Sequence, residues 1–141
     1  MNGTILLIDD NPRILALNRK IFSQRGFRIL EADTIRLGRE LYIQENPDLI
    51  LMETVLPDGD GLDFCIEVVK TRRRYIPIVI VSKLETNEDV FKGYDAGCDY
   101  YMPKPYTEGK LVAYAEGLLI ATKRRENAAL ERVWRDGLHG G

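Results

Sequence analysis

Five polar positions in this 141-residue chain stand where short apolar runs end. Asp9 and Asp10 follow ILLI, Glu53 follows LILM, Ser82 follows IVIV and Lys104 follows YYMP. If each run is a strand of one parallel sheet, the residues after them meet at the sheet's carboxyl edge, where open α/β sheets place their chemistry. Carboxylates gathered there repel one another unless a cation offsets them. Hard oxygen ligands of this kind suit Mg²⁺, which keeps several waters and takes one or two carboxylates. A hydroxyl and an ammonium on the other side could hold the oxygens of a phosphoryl group. Singly, each residue has an ordinary explanation, since acidic pairs cap helices, serines fill turns and lone lysines coat surfaces. Only the set, at the same end of successive strands, points to a site.

The elements that must position this set are short. Strands are expected over Thr4 to Ile8, Phe27 to Ala32, Leu49 to Met52, Ile78 to Val81 and Tyr100 to Met102, rich in Ile, Val and Leu as strands buried on both faces are. Between them apolar residues recur at helical spacing: Leu17, Ile21 and Phe22, then Leu62, Ile66 and Val69, then Val90, Phe91 and Tyr94. Asn11 before Pro12, and Asp58 before the helix of Leu62, read as helix starts, while Gly26 and Gly97 read as helix stops. A fifth helix begins near Thr107 with Leu111, Ala115 and Leu118 on one face, and helical composition runs on through TKRRENAALERVWRD. Residues 1–121 are expected to form one domain and residues 122–141 a helical extension or linker. Leu130, Val133 and Trp134 lie among the charges of that extension, which is too short to show sustained heptads. A solvated helix end, half of a dimer contact and a linker to an output domain all fit it.

Composition narrows the function class. Apolar residues at 45% and charged residues at 30% describe a soluble globular chain of one domain. No apolar run approaches the roughly 20 residues of a membrane span, and no basic start precedes an apolar stretch, so a cytoplasmic location is expected. Cys65 and Cys98 belong to no CxxC pair and read as buried, reduced thiols. A net charge of -2 gives the main body no general affinity for nucleic acid.

The segments LLIDDNP, PDLILMETVLPDGDGLD, PIVIVSKLE and AGCDYYMPKPY resemble, in order and spacing, the signature segments of the receiver domains of two-component response regulators. The resemblance covers roughly residues 3 to 120. It implies a flavodoxin-like, three-layer (βα)5 fold with a five-stranded parallel sheet in the order 2-1-3-4-5, here with an extended C-terminal helix. It implies Asp9 and Asp10 as the Mg²⁺-binding pair, with the position of Glu53 and the backbone carbonyl of Val55 completing the metal site. Ser82 would be the switch hydroxyl, Tyr101 the switch aromatic and Lys104 the phosphoryl-contacting lysine. Lys104-Pro105 is similar to the family's cis peptide bond, which aims the lysine inward. Tyr100 and Tyr101 must point to opposite faces of the sheet, and spacing to Lys104 favours Tyr101 as the switch.

One departure matters most: the family's phospho-acceptor is an aspartate, and here it is Glu53. One extra methylene pushes the carboxylate into the space that metal, phosphodonor and acyl phosphate must share, and in-line transfer depends on positioning to about an ångström. An atypical, phosphorylation-independent receiver is therefore expected, not an enzyme. Glu53 either imitates part of a phosphoryl group, carrying about one charge where the phosphoryl group carries nearer two, or only pairs with Lys104. Lys83, where the family has a small residue, could crowd the donor path or add a competing cation. Pro103 is tolerable only in an edge strand.

The expected partners are a histidine kinase or another signalling protein, or a second copy docked through the face of helix 4, strand 5 and helix 5. Nucleic acid would be reached only through an output domain, and Lys123, Arg124 and Arg125 alone are too weak a signal for DNA. A receiver segment of a DNA-binding transcriptional regulator is the alternative. A Mg²⁺-dependent aspartyl phosphatase is more remote, because Asp9-Asp10-Asn11 does not place a nucleophile and an acid two residues apart. A nucleotide-binding protein is opposed by the lack of GxGxxG and GxxxxGK[ST]. The sole histidine, His139, sits too near the end to act as an internal phosphodonor.

Overall fold

The computed structural model describes the chain from residue 3 to residue 139. Residues 1, 2, 140 and 141, at the ends of the two expected segments, lie outside the described residues, as do the side chains of Leu138 and His139.

Five strands form one parallel sheet: β1 (Thr4–Ile8), β2 (Arg28–Ala32), β3 (Leu49–Met52), β4 (Ile78–Ser82) and β5 (Tyr100–Pro103). Their order is β2-β1-β3-β4-β5, as the resemblance implies. Because side chains alternate along a strand, each strand feeds two cores. Leu6, Ile8, Ile50, Met52, Ile78 and Ile80 face one side, packed by α2 (Ile35–Glu45), α3 (Gly61–Thr71) and α4 (Asn87–Asp95). Ile5, Leu7, Leu49, Leu51, Val79 and Val81 face the other, packed by α1 (Pro12–Ser23) and α5 (Glu108–His139). This is the three-layer arrangement, with β5 at an edge where Pro103 lacks no ladder partner it needs.

The helix starts are set by side-chain oxygens. Asn11 caps α1, accepting from the amides of Arg13 and Ile14, and Pro12 occupies the first turn. Gly26 and Gly97 follow α1 and α4 with left-handed φ of 89° and 104°, as helix stops do. Asp58, however, does not start α3. A two-residue antiparallel ladder, Val55–Leu56 with Gly59–Asp60, carries Asp58 across to α2, where its carboxylate accepts from the amides of Ile35 and Arg36 at 2.8 and 3.0 Å. Asp60 caps α3 instead, accepting from Leu62 at 2.9 Å.

On several helices the buried face differs in part from the expected stripe, because the sheet decides which side of the helix packs. Leu17 of α1 is 47% exposed, whereas Ile21 and Phe22 are buried. On α3 the buried set is Phe64, Cys65 and Val68, and Ile66 of the expected stripe faces outward. On α4 the expected Phe91 and Tyr94 are exposed, and Gly93 is the buried residue. Cys65 and Cys98 are buried free thiols, each pushed up to about 12 by burial. Among the described residues no helix is long and apolar enough to cross a membrane. α5 continues unbroken beyond residue 121, and Leu130, Val133 and Trp134 on it are each about two-thirds exposed or more.

Candidate functional site

The carboxyl edge of the sheet brings Asp9, Glu53, Ser82 and Lys104 together, while Asp10 points to solvent. β1 ends in Asp9, whose Oδ1 accepts from the Asn11 amide at 2.9 Å as α1 begins. β3 ends in Glu53, only 2% exposed. β5 ends at Lys104, joined to Pro105 by a cis peptide bond. The Lys104 ammonium donates to Asp9 Oδ2 at 2.8 Å and to Glu53 Oε1 at 3.2 Å. One cation thus serves two buried carboxylates.

Both oxygens of Glu53 are engaged. Oε1 also accepts from the Lys83 amide at 3.2 Å, and Oε2 accepts from the amides of Thr54 and Val55 at 2.6 and 3.3 Å. Burial by itself would push this carboxyl up, but the nearby Ser82 hydroxyl, Lys104 and the amides around it outweigh burial and hold it below the ordinary carboxylate range. Asp9 has fewer donors, so burial wins and its carboxyl is raised despite Lys104 and Asn11. Burial opposes the Lys104 charge, yet the two carboxylates raise its pKa.

The β4–α4 loop links this cluster to Tyr101. Ser82 Oγ pairs with Thr54 Oγ1 at 2.9 Å and accepts from the Leu84 amide at 3.2 Å. The Leu84 carbonyl accepts from the Tyr101 hydroxyl at 2.6 Å. The Tyr101 ring is turned inward and buried, lying against α4 where a Cβ on Gly93 would sit 2.4 Å from ring carbon Cδ2. Tyr100 points to the other face and stacks on Tyr114 with centroids 3.7 Å apart. The opposite orientation of the two tyrosines follows the strand's alternation, as expected.

Of the readings open to Lys83, the surface one holds: its side chain is exposed and its main-chain amide is what binds Glu53. The carboxylates expected to bind Mg²⁺ are engaged or turned outward: Asp9 and Glu53 are bonded to Lys104, and Asp10 is exposed. Among the described residues no group of three Asp, Glu, His or Cys side chains forms a metal site by itself, and Mg²⁺ would draw on one or two of these carboxylates, the Val55 carbonyl and water.

Thr54, Leu84 and Gly93 were not singled out by sequence. Thr54 could have been noticed as a hydroxyl next to Glu53. Leu84 acts through its backbone and Gly93 by having no side chain, and neither leaves a local signal.

Comparison with known proteins agrees with this fold. A family model described as the response regulator receiver domain matches residues 5–116. The chain is 32% identical over 126 residues to the DNA-binding dual master transcriptional regulator RpaA of Synechocystis, covering 89% of this chain and 52% of that protein. It is 32% identical over 111 residues to the KDP operon transcriptional regulatory protein KdpE of Escherichia coli, covering 77% of this chain and 48% of that one. The chain spans about half the length of the curated relatives it matches. Among solved structures, the BeF3-activated DrrB receiver domain superposes with a TM-score of 0.76 at 28% identity, covering 84% of this chain and 98% of that one. A CheY-like receiver domain protein from Methanospirillum hungatei gives 0.83 at 24% identity over 89% and 99%, which speaks to the fold.

Proposed function

The chain belongs to the response regulator receiver domain family, and we propose that within it this member is a phosphorylation-independent binding switch, acting by docking rather than by turnover. The observation that carries this is the engagement of Glu53. A phospho-acceptor needs a free carboxylate oxygen facing a donor, and here both oxygens are taken by main-chain and ammonium donors in a site that is 2% exposed. Receiver domains bind Mg²⁺ at their phosphorylation site. In this chain the Lys104 ammonium offsets both buried carboxylates, pairing with Asp9 and Glu53.

Of the two roles open to Glu53, partial imitation of a phosphoryl group has the specific support. Its Oε1 holds the amide of Lys83, the residue before Leu84, and the Leu84 carbonyl receives the Tyr101 hydroxyl. A charge at residue 53 therefore bears on the loop that fixes Tyr101, with Ser82 and Thr54 bridging beneath. The bound partner is a signalling protein or a second copy at the face of α4, β5 and α5, where Phe91, Tyr94 and Tyr114 are exposed. The relatives' names as transcriptional regulators support a longer protein whose output domain reaches DNA; a cytoplasmic location follows from that role.

Incubation with Mg²⁺ and a small-molecule phosphodonor, followed by intact-protein mass spectrometry, tests the reading. The native chain is expected to stay unmodified and Glu53→Asp to gain one phosphoryl group. Modification of the native chain at Glu53 would overturn the proposal.

A further inference from the structure

Beside Tyr101, outside the carboxylate cluster, lies a groove of about 270 Å³ walled by Val55, Leu84 and the Tyr101 ring and rimmed by Asp60, Asp89 and Lys92. Three features of it are independent of one another.

The first is exposure without slack. Val55 and Leu84 leave 36% and 38% of themselves in solvent, although their backbones are pinned by the Glu53, Ser82 and Tyr101 bonds. Single exposed apolar residues are ordinary, but here Val55, Leu84 and the Tyr101 ring adjoin one another on a fixed frame, and contiguous apolar surface of this kind marks contact sites. The second is size. Pockets for drug-sized ligands span about 300–1,000 Å³, so this groove falls short of them and has room for one or two protein side chains. The third is charge. Asp60 and Asp89 stand at the rim, and the rim's cation, Lys92, is paired with Glu88 at 3.3 Å. The mouth is therefore acidic and favours a cation on whatever enters.

We propose that this groove docks a basic, apolar segment of a partner protein: a large aliphatic or aromatic side chain enters between Leu84 and Tyr101, and an adjacent Arg or Lys meets Asp60 and Asp89. The proposal rests on reading the chain as a binding switch, and it adds a second contact surface apart from the α4, β5 and α5 face. It also gives that switch an input. The inward Tyr101 ring is one wall, so a segment seated here binds the inward arrangement and by linkage holds it.

A displayed library of short random peptides, selected on the immobilised native protein, supplies the probe. Leu84→Arg and Val55→Arg place a cation and bulk at the mouth while keeping the main-chain bonds of both residues; Ile43→Ser alters an exposed position on α2, away from the groove and from the α4, β5 and α5 face. Enriched peptides are expected to carry Leu, Ile, Met or Phe within one helical turn of Arg or Lys, and to bind either arginine variant at least about tenfold more weakly while binding Ile43→Ser as they bind the native chain. Recovery of no binders, of acidic or wholly polar sequences, or of peptides insensitive to both arginine variants would overturn the proposal. The two experiments fail separately: modification of the native chain at Glu53 overturns the phosphorylation-independent reading, whereas the peptide selection is made on unmodified protein and bears on the groove alone.

Discussion

The two edges of the sheet use the same residue types to different ends. At the amino edge Asp48 accepts from the Thr4 amide at 2.7 Å and pairs with Arg74 at 3.1 Å. Asp99 accepts from the Ile78 amide at 2.7 Å and from the Tyr75 hydroxyl, and the guanidinium groups of Arg72 and Arg125 lie over the Tyr75 ring at 4.3 and 5.3 Å. Each carboxylate there has its own amide and its own second partner, so each is a separate brace between strands. At the carboxyl edge Asp9 and Glu53 share one ammonium, and Glu53 also holds the loop that positions Tyr101. Shared partners make the carboxyl edge respond as a unit, which a switch requires and a brace does not.

The largest test of this contrast is Lys104→Met. It leaves two buried carboxylates facing each other and should cost about 3 kcal/mol of stability in urea unfolding. Adding Glu53→Gln should restore part of the loss, with a coupling of about 1–3 kcal/mol between the two sites. Simple additivity would dissolve the idea of a shared cluster. At the amino edge Asp99→Ala should cost about 2 kcal/mol, the penalty of orphaning a part-buried amide and hydroxyl. Combined with Asp48→Ala, two strand spacings or about 10 Å away, its effect should add to within about 0.5 kcal/mol.

Gly93→Ala probes the far end of the carboxyl-edge network. The methyl collides with the Tyr101 ring, an overpacking cost of about 1–3 kcal/mol that the roughly 1 kcal/mol helix preference of alanine offsets in part. Ring resonances of Tyr101 should shift to an exposed environment, and Gly93→Ala should cost less in a Tyr101→Ala background than in the native chain. Unchanged ring resonances would show that α4, not the ring, gives way.

The mildest probe is pH. The folded-state pKa of Glu53 is lowered, so its contribution is full above the ordinary carboxylate pKa, about 4, and is lost as pH falls through the lower folded value. Asp9 is raised, so its contribution has the opposite sign, favouring the fold at low pH and fading as pH rises through its folded value. Stability measured against pH should therefore lose less on acidification in Glu53→Gln than in the native chain. A steeper acid loss in that variant would contradict the assigned direction.

How much of this was legible in the sequence varied with the range of the interactions involved. The strands were legible because burial on both faces leaves an aliphatic run that needs no neighbour to be read, and the termini of α1 and α4 were legible because Asn11, Gly26 and Gly97 act on backbone next to them. Asp58 was misplaced for the complementary reason: a residue near Leu62 looks like its helix cap, and only the short hairpin carries it 22 residues back in sequence to Arg36. The faces of α3 and α4 were misjudged because a period of 3.6 marks a stripe without saying which stripe meets the sheet. Phe64 and Gly93 fit against Ile80 and Tyr101, and Ile66 and Phe91 do not.

The amino-acid sequence by itself determined the alternation of strands and helices and the convergence of Asp9, Glu53, Ser82 and Lys104 at one edge, because these follow from residue type and short-range spacing; the resemblance to the receiver family marks Glu53 as standing in the place of an acceptor aspartate. Tertiary structure alone decided that one ammonium joins two carboxylates, that the Glu53 oxygens turn to the amides of Thr54 and Lys83, and that Tyr101 lies inward against Gly93. Those outcomes depend on ångström-scale distances between segments as many as 95 residues apart, and such distances are set by how the layers pack.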